Sequence, residues 1–313
     1  MSSQRLVWIP PTMMERIRIE DHEIVKPHVL YCQRRNLSYL TVRQRISRLA
    51  QIAEAYPDQS IMAITAEQLE VMLDDLRGNN GGPLKPSSRR GFISIVRTFY
   101  KWAENFEYVE KSPMRRVVVP KIPNPPPRPI PEQELRLAIT AAPSRTMYMW
   151  VLLGAAAGLR VGEIASLQWD DVGFFDKTIR VKGKGDRTRV IPIGDGLITA
   201  LREHERFRTE ASNVFTDAVF NRQYSPSQVT KLIAQYLGET GLPYTAHQLR
   251  HRFGTEACES SGDIRAVQDL MGHASIEQTA RYTLERDKRR QAVVAGMRSA
   301  TGSKSIQEPI TAA

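Results

Sequence analysis

Six residues in the second half of the chain have side chains suited to chemistry on an anionic substrate. They are Arg160 in GLRVGEI, Lys184 in VKGKGD, His247 and Arg250 in AHQLRH, His273 in LMGHAS and Tyr282 in TARYTL. Guanidinium groups stay charged at any working pH and bind anionic oxygens through paired N–H groups. Imidazoles exchange protons near neutral pH, and a phenol oxygen can act as a nucleophile.

Several other catalytic and metal-binding patterns are absent from the sequence. Neither GAAAGLR nor VKGKGDR has the GxxxxGK[ST] order of an ATP phosphate loop, and no serine occupies a GxSxG elbow. His247 and His251 have a spacing that can hold zinc, but no glutamate lies between them and Arg250 would repel the cation. No acidic cluster resembles a two-metal nuclease. We therefore expect no metal site and no cofactor, so any chemistry on phosphate would proceed without a metal ion.

Each of the six residues also has a structural explanation when it is taken alone. Arg160 can pair with Glu163 across one helical turn, His273 can cap a helix, and Tyr282 can pack as an amphipathic ring. A single residue of these types is more often structural than catalytic. The functional interpretation therefore depends on the whole set and its spacing.

Taken together, the set resembles the tyrosine recombinase, or phage integrase, family. The family's first motif, T-G-L-R-x-x-E-L-x-x-L-x-W-x-D, is similar to GLRVGEIASLQWDD at residues 158–171. Lys184 lies in the G-K-G turn where the family has its lysine, and HQLRH at residues 247–251 matches H-x-L-R-H. MGH at residues 271–273 is similar to L-G-H, and Tyr282 follows at the position of the family tyrosine.

The resemblance implies a part in phosphodiester chemistry for the arginines and histidines. Arg160 and Arg250 would bind the non-bridging oxygens of a DNA phosphate, where negative charge grows in the transition state. His247 and His273 would add hydrogen bonds to the same phosphate, and either imidazole could take the proton of the phenol. These four side chains would form the phosphate-binding part of the site.

The resemblance also implies a covalent intermediate. Tyr282 would attack phosphorus to form a 3′-phosphotyrosyl link and free a 5′-hydroxyl, and Lys184 would protonate the departing oxygen. Lys182 is the neighbour that could substitute for Lys184 or contact a DNA phosphate. Because the covalent link conserves the free energy of the ester bond, the strand could be rejoined to a new partner without ATP.

The elements that must position these residues are predicted to form a mainly α-helical fold with one small antiparallel β-sheet. The apolar spacing predicts helices, and TIRVKGKGDRTRVIPI predicts two strands around a glycine-rich turn. The predicted helices lie at about residues 132–141, 147–157, 161–167, 247–257, 263–271, 275–282 and 285–297, with another opening at Ser225-Pro226. The resemblance identifies this part of the chain as a mixed α/β catalytic domain.

A proline-rich segment divides the chain into two predicted domains. Seven prolines lie between Pro120 and Pro131, where fixed φ angles and missing N–H donors favour an extended linker. We expect a helical DNA-binding domain at residues 1–119, a linker at 120–131 and a catalytic domain at 132–313. By the resemblance, the first is the all-helical core-binding domain, and the two domains form a C-shaped clamp around duplex DNA.

The first domain is predicted to carry basic side chains on its helices. Ser38 can cap one helix, Thr65 and Gln68 can form the capping box of a second, and residues 92–102 have the apolar spacing of a third. The residues expected to contact DNA as a set are Arg43, Arg45, Arg48, Arg89, Arg90, Arg97 and Lys101. For any one of them taken alone, a solvated surface charge is the simpler explanation.

Composition restricts the partner and the compartment. The 313 residues include 44 Lys+Arg and 34 Asp+Glu, and the net charge of +10 suits a polyanion such as double-stranded DNA. No stretch approaches the ~20 apolar residues that span a bilayer, and the start has no secretory signal. Two cysteines cannot form a disulfide framework. We therefore expect a soluble, cytoplasmic protein of a bacterial or phage-infected cell, with no membrane partner.

These observations together predict a site-specific DNA recombinase, most simply an integrase, that acts as a homotetramer through a Holliday junction. The segment at about residues 285–298 would dock on a neighbouring subunit, and packing on its own domain is the alternative. A chromosome-dimer resolvase or a mobile-element recombinase of the same family would share these residues. A type IB topoisomerase and a DNA-binding protein with a vestigial catalytic centre are the more distant alternatives.

Overall fold

Helices make up most of the protein and its short strands pair antiparallel, so the predicted fold class is confirmed. The computed structural model describes residues 11–78, 80–122, 128–183, 188–208, 212–217 and 222–272, together with Thr279. The chain divides into two compact units, residues 1–124 and 125–313. Within the described ranges, no helix is long and apolar enough to cross a membrane. The DNA-binding and catalytic roles of the two halves, and the clamp that they would form, stay predictions.

The first unit is a group of helices with local caps. Its helices are α1 (Pro11–Met14), α2 (His22–Arg34), α3 (Tyr39–Ala55), α4 (Ala66–Asp75) and α5 (Pro86–Asn105). The Ser38 hydroxyl accepts the N–H of Thr41 at the start of α3, and Thr65 and Gln68 cap α4 reciprocally. Both caps confirm the sequence prediction, because each satisfies N–H groups that the first turn of a helix leaves unpaired.

The core of the first unit includes one buried carboxylate. Ile46 of α3 and Phe99 of α5 are fully buried in this core. Asp21, before α2, is also buried and accepts hydrogen bonds from the Ser60 hydroxyl (2.5 Å) and the Ile61 N–H (3.1 Å). A buried carboxylate is costly unless donors surround it. These two bonds therefore join the start of α2 to the segment before α4.

The second unit combines seven helices with two small sheets. The helices are α6 (Glu132–Thr140), α7 (Arg145–Ala156), α8 (Val161–Ala165), α9 (Asp195–Glu205), α10 (Pro226–Glu239), α11 (Ala246–Ser261) and α12 (Ile264–Met271). The strands are β1 (Val172–Gly173), β2 (Thr178–Lys182), β3 (Thr188–Pro192), β4 (Thr216–Asp217) and β5 (Arg222–Gln223). These counts cover only the part of the chain that the structure describes. The helices predicted at 275–282 and 285–297 lie outside it.

The β2–β3 hairpin confirms the sequence prediction and fixes which side chains point inward. Strands β1, β2 and β3 form one antiparallel sheet, and β4 pairs with β5 in another. In the register of the hairpin, Ile179 faces Ile191 and Val181 faces Arg189. Because side chains alternate between faces along a strand, Arg189 shares the buried face with these three apolar residues. An arginine at such a position needs polar partners.

Helix α7 organises the second unit, since it contacts α6, α8, α9, α10 and α11. Its closest packing is on α11, where Gly154 lies against Leu249. A Cβ on Gly154 would lie 3.1 Å from the Leu249 Cβ, so a larger residue would push the two helices apart. Helix α11 also runs four residues beyond its predicted end, from 257 to Ser261, because no glycine or proline occurs between residue 257 and Gly262.

The turn after α7 is packed as closely as the helix. Gly158 has a φ of +63°, in the left-handed region, and the ring of Phe253 from α11 occupies the space that a Cβ would need. The next residues of this turn lead into Arg160 at the start of α8. The packing of the turn on α11 therefore determines where the Arg160 side chain begins.

Replacing Gly158 by alanine should destabilise the second unit. The left-handed φ costs a non-glycine residue roughly 1–2 kcal/mol, and the overlap with the Phe253 ring adds about 1–3 kcal/mol of overpacking. Urea unfolding followed by circular dichroism measures the loss. Gly238→Ala in α10 is the matched control, because among the described residues no atom beyond the adjacent backbone of α10 lies within 4 Å of its new Cβ. An unchanged unfolding free energy for Gly158→Ala would contradict the packing described.

Candidate active site

One carboxylate in the second unit collects three guanidinium groups. Glu163, in the first turn of α8, has a side chain only 9% exposed. Its oxygens accept the backbone N–H of Arg160 (2.7 Å), Nη1 of Arg160 (2.9 Å), and Nη1 and Nη2 of Arg189 (2.9 Å each). A guanidinium nitrogen of Arg250 lies 3.9 Å from the same carboxylate. These four residues, the Glu163 cluster, carry three positive charges and one negative charge.

The charge of Glu163 is kept by its hydrogen bonds. Burial alone raises the pKa of this carboxyl, since an ion loses its hydration in the interior. The hydrogen bonds from Arg189 and from the backbone N–H of Arg160, with the charges of both arginines, outweigh burial and lower the pKa below its ordinary value. The carboxylate is therefore ionised at neutral pH.

The sequence of the GLR turn explains how Arg160 meets Glu163. Arg160 is the N-cap residue of α8, and Glu163 is three residues further on. A glutamate at this position reaches back to the N–H of the N-cap residue, which is one half of a capping box. The same carboxylate then also lies beside the guanidinium of Arg160. A single glutamate thus fixes both the backbone and the side chain of this arginine.

The three arginines of the cluster also hold the end of α12. Arg189 Nε donates to the carbonyl of Leu270 (2.9 Å), Arg250 Nη2 to that of Met271 (2.5 Å), and Arg160 Nη2 to that of Gly272 (2.8 Å). The last carbonyls of a helix have no partner within it, and its negative end attracts cations. The carbonyls of residues 270, 271 and 272 are therefore bound by arginine side chains from three different elements of the same unit.

Arg160 and Arg250 differ in how far a substrate can reach them. The side chain of Arg160 is 42% exposed, whereas that of Arg250 is 2% exposed. Arg250 also donates Nη1 to the carbonyl of Gly158. Arg160 therefore forms the accessible edge of the Glu163 cluster, and Arg250 lies behind it.

Helix α11 carries both parts of the HQLRH motif. His247 is exposed in its first turn, three residues before Arg250, a spacing that puts the two on neighbouring positions of the helix surface. The rings of His247 and His251 meet edge to face with their centroids 4.2 Å apart. The Thr245 N–H donates to Gln248 Oε1 (2.7 Å) and begins the helix here. The local cap thus determines the orientation of the turn that bears His247.

The remaining catalytic predictions, and the predicted DNA contact Lys182, divide into two groups. Lys184, His273 and Tyr282 lie outside the described residues. Lys182, at the end of β2, is exposed and faces Thr188 across the hairpin. The structure therefore brings Arg160 and Arg250 together and sets Lys182 on the outer face of the sheet.

Two members of the Glu163 cluster, Glu163 itself and Arg189, were not predicted from the sequence to belong to the site. Sequence reasoning treated Glu163 only as a structural partner of Arg160, and it gave Arg189 no role. A signal for Arg189 was present, because strand alternation puts it on the same face as Ile191 and opposite Val181. A charged residue at a position that the pattern assigns to the core indicates a buried polar network.

Three of the basic residues predicted to contact DNA line one cavity on α5. Arg90, Arg97 and Lys101 are exposed and surround a cavity of about 410 Å³ that also contacts Val119. Arg97 donates Nη2 to the carbonyl of Met114 (3.3 Å), which orients its side chain along this surface. On α3, Arg43 is exposed as well.

The other three predicted DNA contacts have partners within the first unit. Arg45 donates to the buried sulfur of Cys32 (3.1 Å). Arg48 lies over the Phe92 ring, 5.3 Å from its centroid, and burial lowers the pKa of its guanidinium. Arg89 pairs with Glu70 and Asp74 and is 19% exposed. These arginines have a structural role, so they are weaker candidates for DNA contacts than those on the cavity.

Residues 131–289 match the model of the phage integrase family. A relative over nearly the whole chain agrees: tyrosine recombinase XerA of Pyrococcus horikoshii is 31% identical over 276 residues, 87% of this chain and 92% of the relative. The chain belongs to the phage integrase family of tyrosine recombinases. It is thus a DNA-binding enzyme that transfers DNA strands, as the sequence motifs predict.

Solved structures of distant relatives have the same fold as this recombinase. The structure of a lambda integrase dimer bound to a core site matches with a TM-score of 0.68 and 17% identity, over 85% of this chain and 96% of that one. The Tn1549 transposon integrase with circular-intermediate DNA matches with a TM-score of 0.69 and 15% identity, over 87% and 98% of the two chains. At these identities the likeness concerns the fold alone.

Replacing Glu163 by glutamine should destabilise the recombinase in a pH-dependent way. Removing one partner of a buried ion pair costs roughly 3–5 kcal/mol. Because the folded pKa of Glu163 is lowered, the advantage of the wild type is complete above the unfolded pKa of about 4.3 and is lost as the pH falls through the folded pKa. Urea unfolding at a series of pH values measures the difference.

The control for this substitution is Glu259→Gln, the same change at an exposed position of α11. It should leave the unfolding free energy within about 0.5 kcal/mol of the wild type at every pH, as surface substitutions usually do. A Glu163→Gln deficit that stayed constant into acid would contradict an ionised Glu163.

Proposed function

We propose that this recombinase cuts and rejoins DNA at specific sites through a 3′-phosphotyrosyl intermediate, with Arg160 and Arg250 binding the scissile phosphate. The observation that carries the proposal is the excess of two positive charges in the Glu163 cluster, which reaches solvent at Arg160. A phosphodiester is an anion, and displacement at phosphorus adds charge to its non-bridging oxygens. A positive, partly dry site stabilises that added charge more than it stabilises the substrate.

The Arg160 guanidinium is prepared for the phosphate before DNA arrives. Of its five N–H groups, one is used by Glu163 and one by the Gly272 carbonyl. These two bonds fix the plane of the group, and its exposed edge remains for a substrate oxygen. Donors that are held in position need no reorganisation when charge develops, so their full electrostatic interaction stabilises the transition state.

The remaining chemical steps are proposed from the sequence motifs. The phenol oxygen of Tyr282 forms a bond to phosphorus as the bond to the 5′-oxygen breaks, and His247 or His273 takes the phenol proton. Lys184 gives a proton to the leaving 5′-oxygen. In the second half of the reaction the 5′-hydroxyl of another strand attacks phosphorus and gives its proton to Lys184, while the bond to the Tyr282 oxygen breaks and the histidine returns a proton to that oxygen.

Duplex DNA also contacts the first unit in this proposal. The cavity on α5 presents Arg90, Arg97 and Lys101 on one surface, next to the exposed Val118 and Val119. Three cations within one such patch fit a run of backbone phosphates, which carry no sequence information but fix the position of the protein. Arg43 on α3 and Lys182 on the hairpin are further phosphate contacts in this scheme.

The proposed assembly is a homotetramer that exchanges strands through a Holliday junction. The lambda integrase structure contains a dimer on a core site, which supports action by more than one subunit. The segment at about residues 285–298 is proposed to dock on the neighbouring subunit. We place the reaction in the cytoplasm of a bacterial or phage-infected cell, with an integrase role, and we expect it to need no metal ion.

Replacing Tyr282 by phenylalanine should abolish the covalent adduct with DNA while leaving DNA binding intact. The change removes the oxygen that would form the bond to phosphorus. The same oxygen contributes at most about 1 kcal/mol to the free energy of DNA binding. The substrate is a nicked duplex carrying the sequence that the protein selects from a random pool, and gel electrophoresis under denaturing conditions detects the adduct. Tyr148→Phe on α7 is the matched control and should form adduct like the wild type. Adduct formation by Tyr282→Phe would mean another nucleophile.

The salt dependence of DNA affinity should separate phosphate contacts from structural arginines. Arg97→Ala and Lys101→Ala should each reduce the log–log slope of affinity against salt by about 0.9, as expected for one lost phosphate contact. Arg89→Ala should leave the slope unchanged and lower the stability of the first unit, because Glu70 and Asp74 lose their partner. Fluorescence anisotropy over a range of salt concentrations measures the slopes. Wild-type slopes for Arg97→Ala and Lys101→Ala, the same as the slope expected for Arg89→Ala, would exclude the α5 cavity from the DNA interface.

A further inference from the structure

Arg189 occupies the Glu163 cluster in a different way from the other two arginines. Its side chain is 13% exposed, against 42% for Arg160. Nη1 and Nη2 bind the two oxygens of Glu163 as a fork, and Nε binds the Leu270 carbonyl. All three nitrogens of this guanidinium are therefore bonded to the protein.

We propose that Arg189 is a positioning residue for the recombination reaction, which holds Glu163 and the end of α12 in the geometry that presents Arg160 to the scissile phosphate. This inference rests on the proposed function of the same site. The alternative is that Arg189 is a third phosphate-binding cation. Its three protein bonds, which engage every nitrogen of the guanidinium group, favour the positioning role.

The fork removes the rotational freedom of the Glu163 carboxylate. Glu163 Oε1 accepts Nη1 of Arg160 and Nη1 of Arg189 at the same distance, 2.9 Å. Because the second Arg189 bond is to the other oxygen, the carboxylate plane is fixed by strand β3. Arg160 is therefore oriented by a carboxylate that Arg189 orients.

Arg189 also supports the chain immediately before His273. Gly272 has a φ of +59°, and a Cβ added to it would lie 3.0 Å from Arg189 Nη1. The guanidinium thus packs directly against the last described turn before His273, as well as bonding to the carbonyl of Leu270. One side chain therefore connects strand β3 both to Glu163 and to the segment that leads to the proposed catalytic histidine.

The charge of Arg189 has a second consequence that an experiment can detect. The charged groups that face Glu163 among the described residues are Arg160, Arg189 and Arg250. The hydrogen bonds of Arg189 are the first of the contributions that lower the pKa of Glu163 against the effect of burial. Without Arg189 that pKa rises, so Glu163 takes up a proton at a higher pH and loses its hold on Arg160.

The test compares Arg189→Met and Arg189→Lys with the wild type in single-turnover cleavage of the nicked duplex at saturating protein. Arg189→Met should reduce the rate by about 10- to 100-fold, the scale expected when catalytic groups are slightly misplaced. Its DNA affinity and salt slope should match the wild type. As the pH is lowered, its rate should also begin to fall at a higher pH than that of the wild type, because the pKa of Glu163 is raised when Arg189 is absent.

Arg189→Lys tests the geometry separately from the charge. Lysine keeps one positive charge but has no planar fork, so it cannot hold both oxygens of Glu163 and the Leu270 carbonyl together. We expect a partial recovery of rate with the pH profile of the wild type. Arg136→Met on α6 is the control, because this arginine is 75% exposed and its ion pair among the described residues is with Glu132 one turn away. It should cleave at the wild-type rate.

The outcomes separate the inference from the proposed function. If the wild type forms no adduct, the proposed function is wrong. If it does, a wild-type rate in Arg189→Met overturns the positioning role, and so does a salt slope reduced by one phosphate contact. A loss of folded protein appears as a lower final yield of adduct at an unchanged rate and an unchanged pH profile. If Arg189→Met does not fold, Arg189→Lys decides: a reduced rate supports the inference and a wild-type rate overturns it.

Discussion

The second unit depends on the neutralisation of one buried carboxylate. Glu163 is almost fully removed from solvent, and an unpaired carboxylate at such a position costs several kcal/mol. Donors from its own helix cannot meet this cost, so the fold brings guanidinium groups from the turn before α8, from strand β3 and from helix α11. The concentration of positive charge that suits a phosphate therefore exists only in the folded unit. In our proposal, stability and substrate binding share the same contacts.

Features that depend on neighbouring residues were predictable from the sequence. The Ser38 cap, the Thr65–Gln68 capping box and the β2–β3 hairpin each arise within a short stretch, where side-chain spacing contains the necessary information. Other elements lacked such signals. Helix α9 begins after Gly194, not after a capping side chain, and strands β4 and β5 have two residues each, too few for alternation to be seen.

The contacts of the site were not predictable in the same way. Arg189 is 26 residues from Glu163 and 81 from Leu270, and no local pattern relates these positions. The motifs identified Arg160 and Arg250, yet not the carboxylate and the helix end that they share. The same limit applies to the DNA-binding prediction. A helical pattern shows that Arg89 lies outside the apolar face of α5, but not that Glu70 of α4 stands beside it.

The four hydrogen bonds to Glu163 have a consequence for the fate of a phosphotyrosyl intermediate. A carboxylate offers about four lone-pair sites, and here all are filled by Arg160 and Arg189. With its pKa lowered as well, this group cannot take a proton from a water molecule. The carboxylate that adjoins Arg160 is thus unable to assist hydrolysis. In our scheme the release of a severed strand therefore depends on the other groups of the site, and Glu163 only orients the arginines.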